Sequence, residues 1–432
     1  MGIIEELADR NSDRKLPFLI SGAKKLTFDE ITKIPPAELA DVKPGDVVAI
    51  VGDFEPQSIR TFLELIDRRV VIVPLTTETR PHHDYYFDAA GVDVVIKGRN
   101  VRRIRRTRME HDLLEVLRKR KHPGLVLFSS GTTGRPKAIL HDMETFLVRF
   151  RTPRPTLRTI NFLLFDHIGG INTLLHTLYN SGTIVVPRER NPLSVLEDIR
   201  DFDVELLPTT PTFLRMLLLS GLIPKAVSPS LKLVTYGTER MDQGTLDQLC
   251  SLLPNVDFRQ TFGMSELGIL RVKSQARDSL WMKIGGEGVE VRVVDGVLQI
   301  NAENRMLGYL NAPSPFDEEG WYDSKDVVEQ DGEYLRIVGR TSEVISVGGI
   351  KVLPSEIERA ALLHGDVVHA QAKGLENPII GQHIELLCQP REGSSLSRSD
   401  LLKHLKNHLA ESILPHRIRI GKVEISHRFK RS

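Results

Sequence analysis

An α/β architecture is predicted: a large N-terminal domain of mixed α/β subdomains plus a β-rich subdomain, then a small mobile α+β C-terminal domain. Three observations carry this. Over the first two hundred residues short β-branched runs, VVAIVG, VVIVPL, DVVI, LVLF and TIVVP, alternate with amphipathic stretches long enough for helices. That alternation is the pattern of buried parallel strands joined by helical crossovers. Two Asp-Gly pairs, Asp295-Gly296 and Asp331-Gly332, sit between apolar runs and read as hairpins. After Gly339-Arg340 the character changes once more.

In chain order, DIRDFDVELLPTTPTFLRMLLLSG continues the α/β pattern with a strand, a turn and a helix, and LKLVTYGTE adds a strand running into a glycine turn. From about residue 270 the two hairpins imply antiparallel pairing. SEVISVGGIKV then reads as strand, glycine turn and strand, and Pro354 opens a helix in LPSEIERAALL. Ser397 and Asp400 form a helix-start pair, after which Leu401, Leu405, Leu409 and Ile413 recur on one helical face. The expected division is 1–340 for the N-terminal core and 341–432 for a small C-terminal lid.

Composition narrows the function classes. A chain of 432 residues exceeds one ordinary core and divides into two or three units. A net charge of +1 gives no global attraction to nucleic acid or to an anionic membrane. Cys250 and Cys388 lie far apart without CxxC spacing, which argues against a disulfide framework or a zinc site and fits a reducing cytoplasm. The N-terminus lacks the basic start and long apolar centre of a signal peptide, and no stretch approaches the roughly 20 apolar residues of a membrane span, so a soluble protein is expected. One local imbalance, the basic run between Arg102 and Lys121, reads either as a solvated helix face with its flanks or as a docking face for an acidic partner.

The chemistry concentrates in SSGTTGRPK, residues 129–137, directly after the apolar run Leu125-Val126-Leu127-Phe128. Gly131 and Gly134 let the backbone approach an anion; the hydroxyls of Ser129, Ser130, Thr132 and Thr133 donate to phosphate oxygens; Lys137 adds charge. The stretch is not a Walker A loop, because Arg135-Pro136 separate the second glycine from the lysine.

FSSGTTGRPKAILH resembles the phosphate loop of the adenylate-forming superfamily of acyl- and aryl-CoA ligases, nonribosomal-peptide adenylation domains and luciferases. QTFGMSE (260–266), TYGTE (235–239), GWYDSKDVV (320–328), VGRTSEVISVGGIKVLPSEIE and FDHIGG (165–170) are similar to companion motifs in the same order, from about residue 40 to the end. The resemblance implies that Ser265 touches a nucleotide phosphate, Glu266 binds Mg²⁺, and Phe262, Gly263 and Met264 border the adenine and acyl pocket with Gly237, Thr238 and Glu239. It implies that Asp326 and Arg340 hold the ribose, and that His167 and Gly170, with Ile171 and Asp166 nearby, line the acyl pocket. Gly349 would border a pantetheine tunnel. Lys430 would be the catalytic lysine carried in by domain rotation, although Phe429 stands where a glycine is expected. Lys325 and Ser342 also depart from the pattern, the first replacing a glycine. Lys422 offers a second Gly-Lys match in IGKVEI.

The implied activity is ATP-dependent conversion of a small carboxylic acid to acyl-AMP with release of pyrophosphate, then transfer to CoA or to the phosphopantetheine of a separate carrier protein. Catalysis would be electrostatic positioning by amides and cations around the α-phosphate. The other reading is a nucleotide-binding member that has lost turnover and acts as a regulatory or scaffold protein, motivated by the three departures.

Overall fold

The computed structural model describes residues 2–129, 135–223, 228–377, 381–423 and 426. Its first sheet has seven strands in the order Gly308–Tyr309, Ala138–Asp142, Gly124–Phe128, Val71–Leu75, Val47–Val51, Val94–Lys97 and Asn100–Arg103. The four central strands run parallel and the outer ones antiparallel. Val47–Val51, Val71–Leu75 and Gly124–Phe128 are buried at every position, as strands covered on both faces must be.

A second seven-stranded sheet follows the order Asp257–Gln260, Leu233–Tyr236, Leu206–Thr209, Thr159–Ile160, Ile184–Val186, Leu19–Ser21 and Lys24–Leu26. Its first three strands are parallel and in register, with Thr209, Tyr236 and Gln260 side by side at their carboxyl ends. Crossover helices begin as the sequence dictates. Pro56, Pro192 and Pro211 occupy first turns, where no amide hydrogen is needed, and Asn191 and Thr210 cap the latter two.

The two Asp-Gly pairs turn hairpins within a six-stranded antiparallel sheet. Asp295 and Gly296 both take positive φ, the type I′ requirement. Residues 345–420 form a five-stranded sheet covered by helices Pro354–Leu362 and Arg398–Lys406, around a core of their own that includes Ile357, Ile384, Leu386, Leu401 and Leu405. Ser397 and Asp400 make a reciprocal capping box. The helix ends earlier than its apolar spacing suggests: amides of Asn407 and His408 bond three residues back, which tightens the last turn. Leu409 and Ile413 reach the same core from the following turns. Arg240 reaches Glu358 at 3.4 Å and Arg215 reaches His369 at 3.5 Å, joining this unit to the second sheet.

Much of the basic run is neutralised within the fold. Arg103 and Arg108 pair with the buried Asp46, Arg105 with Asp88, Arg118 with Glu115 and Arg120 with Asp142. Asp142 also caps helix Met143–Arg151. The run is therefore largely a structural staple, which weakens its reading as a docking face. Among the described residues no helix is long and apolar enough to cross a membrane.

Candidate active site

The carboxyl ends of the parallel strands gather the motifs, as expected for ligand sites in open α/β sheets. The glycine-hydroxyl stretch is the loop of a hairpin between Gly124–Phe128 and Ala138–Asp142, closed where Phe128 faces Ala138. Its base is latched twice: the Ser129 amide donates to the Lys137 carbonyl at 3.1 Å, and the Lys137 amide donates to Ser129 Oγ at 2.9 Å. Ser130, Gly131, Thr132, Thr133 and Gly134 lie outside the described residues. The returning limb is clamped from both sides. Tyr85 Oη and Asn311 Nδ2 donate to the Pro136 carbonyl at 2.8 and 3.1 Å, while Asn311 Oδ1 accepts from the Ala138 amide at 2.8 Å.

Tyr236 and Gln260 end neighbouring parallel strands, so Gly237 and Thr261 emerge side by side. A Cβ on Gly237 would stand 2.3 Å from Thr261 Oγ1 and 2.6 Å from its carbonyl oxygen, which explains the glycine. Thr238 follows in the left-handed region at φ 72° and is exposed. Glu239 accepts the Thr212 amide at 2.7 Å, stabilising the start of helix Pro211–Ser220.

Beyond Gln260 the chain folds into a short hairpin in which Gly263 pairs with Ile269 and Met264 with Gly268. Ser265 and Glu266 lie in its turn, which is held from outside. The Ser265 carbonyl accepts from His141 Nε2 at 2.6 Å, and the Glu266 carbonyl accepts the Met306 amide at 2.8 Å. The Glu266 carboxylate is buried, and Tyr309 Oη donates to its Oε1 at 2.8 Å. The ring of Tyr309 lies 4.8 Å from the Lys137 ammonium, within cation–π range. The loop lysine and the proposed metal carboxylate thus share one neighbour. Burial pushes the Tyr309 phenol far up, so it stays protonated. Burial pushes the His141 imidazole down to about 4, so it is neutral at ordinary pH and serves as a donor.

Asp326 and Arg340 face each other across paired strands, with Arg340 Nε 2.9 Å from Asp326 Oδ1. Burial raises the Asp326 pKa, and the Arg340 cation opposes that rise. Lys325 takes the left-handed conformation, φ 62°, while Asp323 accepts its amide at 2.9 Å. The backbone shape demanded of glycine is retained here by a lysine.

Other sequence-predicted residues take different places. His167 caps helix Ile168–Tyr179, its Nδ1 accepting the Gly169 amide at 3.0 Å. Gly170 faces main chain, since a Cβ there would meet the Leu164 carbonyl at 2.1 Å. Phe262 packs into the core of the six-stranded sheet and is 7 % exposed. Gly349, at φ 88°, makes an open hairpin tip with Gly348. Ser342 sits in a single helical turn, Thr341–Glu343. Phe429 and Lys430 lie outside the described residues. Tyr309, Tyr85, Asn311 and His141 went unnoticed in the sequence. His141 falls within the quoted loop motif, but Tyr309 is 43 residues from Glu266 and only folding joins them.

The model of the AMP-binding enzyme family matches residues 38–308. Among curated proteins, acyl-CoA synthetase FUM10 of Gibberella moniliformis is 26% identical over 68% of this chain and 62% of its own length. 4-Coumarate–CoA ligase 3 of Oryza sativa subsp. japonica is 25% identical over 65% and 58%. The medium/long-chain-fatty-acid–[acyl-carrier-protein] ligase FadD10 of Mycobacterium tuberculosis is 30% identical over 55% and 51%. The chain therefore spans between half and two thirds of the length of these curated relatives. Two solved structures share the fold: anthranilate CoA ligase AuaEII in complex with anthranoyl-AMP, with a TM-score of 0.79 at 17% identity over 99% of this chain and 95% of that one, and ATP-bound MatB from Rhodopseudomonas palustris, with 0.78 at 18% over 99% and 97%. With the loop, the carboxylate turn and the Asp–Arg pair in the family's order, the chain belongs to the AMP-binding enzyme family.

Proposed function

We propose that the protein activates a carboxylic acid with ATP and passes the acyl group to a thiol. A substrate carboxylate oxygen bonds to the α-phosphorus while the bond from that phosphorus to the α,β-bridging oxygen breaks, and pyrophosphate leaves with the electron pair. The thiol sulfur then attacks the acyl carbon, AMP departs, and the thiol proton passes to solvent. The shared neighbour Tyr309, bonded to Glu266 and lying under the Lys137 ammonium, carries this reading, and the Asp326–Arg340 pair supports it.

The donors present suit a divalent ion shared with phosphate. Among the described residues no three His, Cys, Asp or Glu side chains group to hold a metal, yet Glu266 Oε2 takes no hydrogen bond from any described residue. Mg²⁺ is commonly held by one or two carboxylates together with substrate phosphates and water. Once bound, the ion would neutralise charge building on the departing phosphates. Glu266 would hold it, Lys137 would meet a phosphate oxygen, and Asp326 would accept from ribose hydroxyls while Arg340 fixes its carboxylate. Lys430 keeps the role of approaching catalytic lysine through family resemblance.

The names of the relatives support either CoA or an acyl carrier protein as acceptor. The turnover-deficient alternative loses one of its motives, because Lys325 preserves the glycine-like backbone. The test is pyrophosphate release across a panel of carboxylic acids, with and without CoA. Acid-dependent release is expected, and ATP binding without it for any acid would overturn the proposal. Normal release without acyl-CoA would assign the acceptor to a carrier protein.

A further inference from the structure

Tyr309 occupies a two-residue edge strand, Gly308–Tyr309, paired directly with the strand that leaves the phosphate loop, so that Tyr309 lies opposite Ile139. From there it touches two groups. Its hydroxyl donates to Glu266 Oε1, and its ring carries the Lys137 ammonium. A phenol has one proton to give. Tyr309 gives its own to Glu266.

We propose that Tyr309 is a positioning residue of the adenylating site, orienting the Glu266 carboxylate so that Oε2 faces the divalent ion. The inference rests on the ATP-dependent reading above. Its hydroxyl is engaged on Glu266 Oε1, so it acts through Glu266. Partners that orient a ligand from behind typically affect metal affinity or activity by roughly 10–100-fold.

The test is the Mg²⁺ concentration giving half-maximal MgATP binding, by calorimetry, and half-maximal acid-dependent pyrophosphate release. It compares the full chain with Y309F, E266Q and Y309F/E266Q, and thermal melts serve as the folding control. Y309F keeps the ring under Lys137 and the packing against Ile139 and Met306, so the ATP KM at saturating Mg²⁺ should stay within about twofold. Its Mg²⁺ requirement should rise about tenfold. In the E266Q background Y309F should add nothing. A wild-type protein that neither binds MgATP nor releases pyrophosphate defeats the proposed function. A wild-type protein that does both, with an unchanged Mg²⁺ requirement in Y309F or a full additional effect in E266Q, defeats the role of Tyr309 alone.

Discussion

His141 should make the protein lose stability on mild acidification, by an amount that one side chain largely sets. The imidazole is 1% exposed, donates Nε2–H to the Ser265 carbonyl at 2.6 Å, and lies near the Arg149 guanidinium. Burial first, and Arg149 second, lower its pKa from 6.5 to about 4. Between those values the unfolded chain binds a proton that the fold refuses, so stability rises with pH there and falls as pH drops. At about pH 5 the unfolded imidazole is almost wholly protonated and the folded one roughly one-tenth so, which costs about 2 kcal/mol relative to about pH 7.5. The ceiling, reached below about pH 4, is about 3.4 kcal/mol. Burial depresses His83 and His176 in the same sense, so the wild-type loss alone does not isolate His141. The comparison is with H141Q, whose Nε2 keeps a donor in reach of Ser265 without titrating. Urea unfolding at the two pH values should show a wild-type loss larger than that of H141Q by about 2 kcal/mol. An imidazole carbon resonance of His141 titrating near 6.5 in the folded protein, or equal pH losses in the two proteins, would refute the reasoning.

D326N should raise the ATP KM roughly 10–100-fold, the scale of a hydrogen bond to a charged group, as read by initial rates. Because burial raises the Asp326 pKa, nucleotide affinity should weaken at a higher pH than for an ordinary aspartate near about 3.9, and D326N should remove that acidic limb. The stability sign is opposite to that of His141: the folded carboxyl takes up its proton before the unfolded one, so this group favours the fold as pH falls. G237A should lower kcat/KM by roughly 10²-fold, since its Cβ would drive apart the strand ends that carry the adenine turn and the Glu266 hairpin; unchanged kinetics would show that this approach is slack. K325V should lose about 1–2 kcal/mol in urea because a β-branched residue resists positive φ, whereas K325G should stay within about 1 kcal/mol of wild type.

The phosphate-loop hairpin was legible because it is local: an apolar strand, a glycine-hydroxyl turn and a returning strand follow within about twenty residues. The Asp295-Gly296 hairpin and the Ser397 capping box were legible for the same reason. Residues whose roles depend on distant partners were not. The cap that His167 makes with the Gly169 amide and the bond that Glu239 accepts from the Thr212 amide could not be read from the sequence.

Chain order and local chemistry, then, specified the α/β alternation, the hairpins and the identities of Lys137, Glu266, Asp326 and Arg340. Tertiary structure decided which of them share a neighbour. Tyr309 is joined to Glu266 and Lys137 because its edge strand pairs beside Ile139, a placement set by sheet closure between segments some 170 residues apart. A separate contact, across 124 residues, sets His141 against the Ser265 carbonyl, where burial strips it of water. Hydrogen bonding, cation–π contact and desolvation depend on distances in space, and sequence spacing fixes those only within a turn or a hairpin.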